Sequence, residues 1–126
     1  MKVPTELVGA RVERAAFDER VRLTLISPAG DDGAFVDAEL VVGTPFLLRD
    51  ADGRWHELEP GGGTGLAPVL GLRGRTVTAA AVSERGALTL DFDDGAQLFL
   101  GPHIRLESWS LTGVGVVEVR VGPGGV

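Results

Sequence analysis

Cysteine is absent from the 126 residues, which excludes disulfides, thiolate catalysis and cysteine-ligated zinc. Histidine occurs only as His56 and His103. A transition-metal site would need both rings plus carboxylates such as Glu57 or Glu107, so no metal and no other cofactor is expected. Lysine occurs once, as Lys2, and every other basic residue is arginine. No run of basic residues offsets the formal charge of −6, so nucleic acid is not expected as a partner. Long apolar runs are missing as well. Nothing approaches the roughly 20 residues that a membrane-spanning helix needs. The opening MKVPTELVGA lacks the apolar stretch of a signal peptide. A soluble cytoplasmic protein without a membrane partner is expected.

Glycine is plentiful: 19 glycines and seven prolines disfavour helix interiors and suit a chain of many turns. The apolar fraction of 44 % is that of a folded globular protein. A chain of this length forms one domain, residues 1–126, and buries roughly two-thirds of its unfolded surface. The composition points to an all-β fold.

One stretch occurs twice. Residues 7–25, LVGARVERAAFDERVRLTL, and residues 72–90, LRGRTVTAAAVSERGALTL, share ten of nineteen residues at a constant offset of 65. Gly9/Gly74, Val12/Val77, Glu19/Glu84 and Arg20/Arg85 are among them. Such self-similarity marks a duplicated unit. Matching resumes at Ala38/Ala96, Leu40/Leu98 and Gly43/Gly101 with an offset of 58, so the Ile26–Phe35 connection of the first copy is seven residues longer.

Val8–Phe17 fits a strand or a short helix by pattern; its copy, Arg75–Val82, carries two threonines and two valines and favours strand for both. Val21-Arg22-Leu23-Thr24-Leu25 and Ala87–Phe92 alternate as half-buried strands do. Asp93-Asp94-Gly95 and Asp50-Ala51-Asp52-Gly53 read as hairpin turns, leading into Ala96–Leu100 and Arg54–Leu58. Pro45–Leu48 and Pro102–Leu106 are further apolar segments, and Val116–Val121 alternates once more. Opposite parity in Ile104/Leu106 and Trp109/Leu111 calls for a bulge near Glu107–Ser108. The expectation is two tandem repeats, 7–59 and 72–121, each of about four meander strands. A flexible Gly-rich linker, 60–71, joins them. Neither half buries its apolar face alone, so the two should pack with pseudo-twofold symmetry as a sandwich or a closed barrel.

Candidate chemistry is thin. The acidic turns lack the late glutamate and spaced oxygen donors of a calcium loop. No G-x-S-x-G elbow accompanies Ser27, Ser83, Ser108 or Ser110. Gly61-Gly62-Gly63-Thr64-Gly65 is neither a dinucleotide fingerprint nor a phosphate loop. The aromatics carry more information. Phe99 has the opposite parity to Leu98 and Leu100, so it is either an exposed anchor or part of a second buried layer.

The segment Leu106-Glu107-Ser108-Trp109-Ser110-Leu111-Thr112-Gly113, preceded by Gly95, Leu98 and Leu100, resembles the end of a small β-rich domain family of unknown function common in actinobacteria. Its members close on Glu-x-Trp-x-Leu/Val-x-Gly, matched here by Glu107, Trp109, Leu111 and Gly113 over a resemblance spanning about residues 72–115. The chain then departs, with Val114-Gly115-Val116 in place of Gly-Pro-Gly and a cysteine-containing strand. The resemblance implies no activity, cofactor or substrate.

These readings favour a non-catalytic β-domain that binds an unidentified protein partner in an immunity-like or regulatory role. Trp55, His56, Phe99, Glu107 and Trp109 are the candidate binding surface. The alternatives are a small-molecule-binding β-barrel, a hydrolase using His56 and nearby carboxylates, and a homodimer formed through exposed strand edges.

Overall fold

Alternating apolar and polar residues become ten strands in the computed structural model, which describes residues 4–28, 33–102 and 107–123. The strands are β1 (Arg11–Phe17), β2 (Val21–Ser27), β3 (Val36–Val42), β4 (Phe46–Arg49) and β5 (Trp55–Leu58), then β6 (Val77–Val82), β7 (Leu88–Phe92), β8 (Gln97–Leu100), β9 (Trp109–Val114) and β10 (Val119–Val121). Part of the Ile26–Phe35 connection, the apolar run 103–106 and the last three residues lie outside the described residues.

Two antiparallel five-stranded sheets form, in the orders β1-β2-β3-β9-β10 and β5-β4-β8-β7-β6. We call them sheet A and sheet B. Among the described residues they do not close into a barrel. Nor does either half make a four-strand meander: three consecutive strands pair as hairpins, and the next two cross into the opposite sheet. Hydrophobic alternation fixes which face of a strand is buried but not which strand lies beside it.

Inward-facing residues line up across each sheet. In sheet A, Leu23 lies opposite Leu40, which lies opposite Leu111. In sheet B, Leu90 lies opposite Leu98, which lies opposite Leu48. All six are at most 1 % exposed and belong to one core shared by both sheets. Each such leucine contributes on the order of 1.5–3 kcal/mol of burial. Among the described residues, mainly Leu, Val, Phe and Ala side chains fill the space between the sheets, where a small-molecule barrel would keep an open interior.

The two sheets are also bonded near the start of each half. The amide of Gly9 donates to the carbonyl of Val77, and that of Gly74 to Val12. Val77 N–H donates to Ala10 O, and Val12 N–H to Arg75 O. The β1–β2 ladder slips between Val12 and Arg14, and the β6–β7 ladder between Val77 and Ala79.

Residues 60–71 are not a flexible connection. A 3-10 helix spans Gly63–Leu72 and buries Leu66, Val69 and Leu72 in the core. With three residues per turn, every third side chain falls on one face, which is the spacing of these three. Among the described residues, no helix is long and apolar enough to cross a membrane.

Candidate functional site

The outward face of sheet B follows from strand parity. Phe46 and Leu48 of β4 point into the core, so Leu47 and Arg49 point out. Leu98 and Leu100 of β8 are buried, which turns Phe99 outward. Leu58 of β5 is buried, which turns Glu57 and Trp55 outward in register with Leu47 and Arg49. Pairing then sets Glu57, Leu47 and Phe99 side by side in one row and Trp55, Arg49 and Gln97 in the next. Leu47 is 37 % and Trp55 53 % exposed. The Arg49 guanidinium sits 5.8 Å from the centre of the Trp55 ring and donates to Gly95 O at 3.2 Å. Stacking and hydrogen bonding together orient this cation along the sheet.

The β4–β5 hairpin is held at its tip by Asp50. One carboxylate oxygen accepts the amides of Asp52 and Arg54 at 3.0 and 2.9 Å. The other lies 2.8 Å from His56 Nε2. An ionised carboxylate only accepts, so Nε2 carries the proton of this bond. The His56 hydrogen bond first, and the Arg54 amide second, hold the Asp50 carboxyl below its ordinary value of 3.8. His56 is thereby committed to bracing the hairpin that presents Trp55. The hydroxyl oxygens of Ser27 and Ser83 accept the amides of Val36 and Ala87, at 2.9 and 3.1 Å. No group of three or more metal-ligating side chains is assembled among the described residues.

Beside Leu47 and Phe99 lies a cleft of about 300 Å³, walled by Pro45, Leu47, Phe99 and Pro102, with Thr44 and Glu57 also lining it. A larger hollow of about 470 Å³, near Ser27, Phe35, Val36 and Val114, contains none of the candidate side chains.

The sequence candidates therefore separate. Trp55 and Phe99 share the sheet B face, and His56 supports it from the adjoining turn. Glu107 lies by sheet A, 3.8 Å from Arg120. Trp109 is no surface residue: it is 1 % exposed and donates its indole N–H to Gly86 O at 2.8 Å. Its strand crosses into sheet A, opposite Val42, which points the ring into the core. His103 lies outside the described residues. Leu47, Arg49, Asp50 and the two prolines were missed. Leu47 is hidden in the run Phe46-Leu47-Leu48, where parity alone does not say which residue faces out. Counting back from the Asp50–Gly53 turn would have placed Arg49 opposite Trp55.

The outward face of sheet A is different in kind. Arg22 pairs with Asp18 and Glu39 at 3.3 and 3.1 Å, and Arg120 with Glu118 at 2.8 Å. Ion pairs lie along it beside Thr112 and the exposed Val114, where sheet B groups Leu47, Trp55 and Phe99.

The model of a family of unknown function, DUF6188, matches residues 3–126, and the chain belongs to that family. The match takes in both halves, well beyond the 72–115 stretch that carried the resemblance. No curated protein and no solved structure matches the chain.

Proposed function

We propose that this member of a family without assigned activity is a non-catalytic protein-binding domain that engages its partner through the outward face of sheet B. One observation carries the reading: Trp55, Leu47 and half-buried Phe99 share one sheet face beside a walled cleft, while ion pairs of Arg22 and Arg120 lie along the face of sheet A. Aromatic anchors beside a pocket are the usual energetic centre of an interface. The Asp50–His56 brace suits this role, because a preorganised hairpin loses little conformational freedom on docking. The test is crosslinking in native lysate with the wild-type chain, Trp55→Ser, Leu47→Ser and Thr112→Ser as a sheet A control. A specific product retained by the control and lost in the two sheet B variants supports the reading. Equal products from all four chains, or no product, refute it.

We also propose that the chain is an internal duplication, its halves 7–59 and 72–121 related by a pseudo-twofold within one domain. Supporting this are the matched strand orders, the reciprocal Gly9–Val77 and Gly74–Val12 hydrogen bonds and the ladder slips at corresponding places. Gly9 and Gly74 have φ of 92° and 83°, and a Cβ at either would meet nothing within 4 Å. Gly9→Ala and Gly74→Ala should therefore destabilise alike, by roughly 1–2 kcal/mol each. A difference much above about 1 kcal/mol in urea melts would contradict equivalence.

A further inference from the structure

We propose, resting on the reading of sheet B as a docking face, that the partner's anchor is cationic: a lysine or arginine side chain of a polypeptide enters the cleft beside Phe99 and ends on the Glu57 carboxylate. The cleft selects this group by its walls and its charge. Pro45, Leu47, Phe99 and Pro102 offer apolar surface for an aliphatic stem. Among the described residues lining it, Glu57 is the only ionisable one. Glu57 has no ion-pair partner among the described residues, whereas Arg22 and Arg120 on sheet A are each paired. Arg49, in the neighbouring row of the sheet, is committed to the Trp55 ring and the Gly95 carbonyl.

Two alternatives are disfavoured by the same residues. A neutral apolar anchor would cover the Glu57 carboxylate without replacing its water, which costs binding energy. An anionic anchor would meet that carboxylate and a chain of net charge −6. At about 300 Å³ the cleft sits at the lower limit for small-molecule sites, and suits a single long side chain better than a whole ligand.

The probe is an acetylated, amidated Gly-Leu-Arg-Leu-Gly peptide, compared with its citrulline counterpart, which has the same shape and no charge. Each is titrated to about 10 mM, enough to saturate an affinity near 1 mM, into the isotope-labelled full chain while the backbone amides of Leu47, Phe99 and Gly101 are followed by NMR. The arginine peptide should shift these amides saturably, and the citrulline peptide should bind about fivefold more weakly, the upper range for a partly exposed charge pair. Glu57→Gln should remove that preference. Glu57→Lys should reverse it, favouring a peptide with glutamate in place of arginine. Glu57 is exposed, so both substitutions leave the core untouched, and dispersed spectra of both variants check that they fold. Absence of shifts at the cleft, equal affinity for the two peptides, or an unchanged preference in Glu57→Gln overturns the proposal. A crosslinked partner that is lost in Trp55→Ser but kept in Glu57→Gln would leave the docking face standing and remove only the cationic anchor.

Discussion

Trp109→Phe tests the packing that joins the two sheets. Trp109 starts β9 in sheet A, yet its indole N–H reaches Gly86 O, in the turn between β6 and β7 of sheet B. That turn is closed by Ser83 N–H to Ala87 O at 2.8 Å and Gly86 N–H to Ser83 O at 3.0 Å, so it cannot follow a shortened ring without breaking its own bonds. Phenylalanine keeps an aromatic ring in the core but removes the donor, leaving the buried Gly86 carbonyl without a partner. The unsatisfied group costs about 1–3 kcal/mol, and the lost part of the indole adds on the order of 1 kcal/mol. A total of roughly 2–4 kcal/mol should lower the urea midpoint by about 1–2 M, followed by far-ultraviolet circular dichroism. Trp55→Phe, at an exposed position, should stay within about 0.5 kcal/mol of wild type. The two variants also isolate each indole. Acrylamide should quench Trp55 readily in Trp109→Phe and spare Trp109 in Trp55→Phe. Equal quenching, or a Trp109→Phe cost below about 0.5 kcal/mol, would refute the reasoning.

Three further outcomes are expected. Leu66→Ala should cost roughly 2–5 kcal/mol and Leu70→Ala almost nothing, since Leu66 is 2 % and Leu70 55 % exposed on the same 3-10 helix; urea melts of both check that 63–72 is part of the core. The Asp50 carboxyl titrates below its unfolded value of 3.8, so its contribution is fully present above that pH and is lost as pH falls through the lower folded value. Asp50→Asn should accordingly flatten the acid limb of a stability–pH profile, and an unchanged limb would discount the His56 brace. A protease site placed at Gly61-Gly62, cut after folding, should leave the two pieces co-eluting with an unchanged dichroism spectrum, because β4–β5 and β9–β10 are bonded into sheets begun by the other piece. Separation without denaturant would contradict that sheet order.

Strand positions were legible because alternation is local. Val21–Leu25 and Leu88–Phe92 reveal a buried face within five residues, and Asp-Gly turns mark where the chain reverses. The crossing of β4–β5 and β9–β10 was not legible, because Leu48 packs equally well in either sheet as far as its own neighbours in sequence can tell. The 3-10 helix was missed for a compositional reason: glycine and proline around it suggested a linker. Yet Leu66, Val69 and Leu72 already stood at a spacing of three. At the candidate site, parity set Phe99 apart from Leu98 and Leu100 but did not say which set was buried. The two tryptophans illustrate the limit. Trp55 borders a hairpin turn and is exposed, while Trp109 sits between serines and is buried, so local polarity pointed the wrong way for the second.

The sheet order also has a consequence in time. During synthesis β1, β2 and β3 emerge as a complete meander, but the far edge of β3 waits for β9, which is made only after β4 to β8. Until then Val42, Leu40 and Ala38 lack the neighbours that cover their flank. Long-range pairings of this kind close slowly, and unfilled edges recruit other chains. The nascent first half is thus the stage most prone to aggregation, and folding should commit only when Trp109–Val114 has left the ribosome.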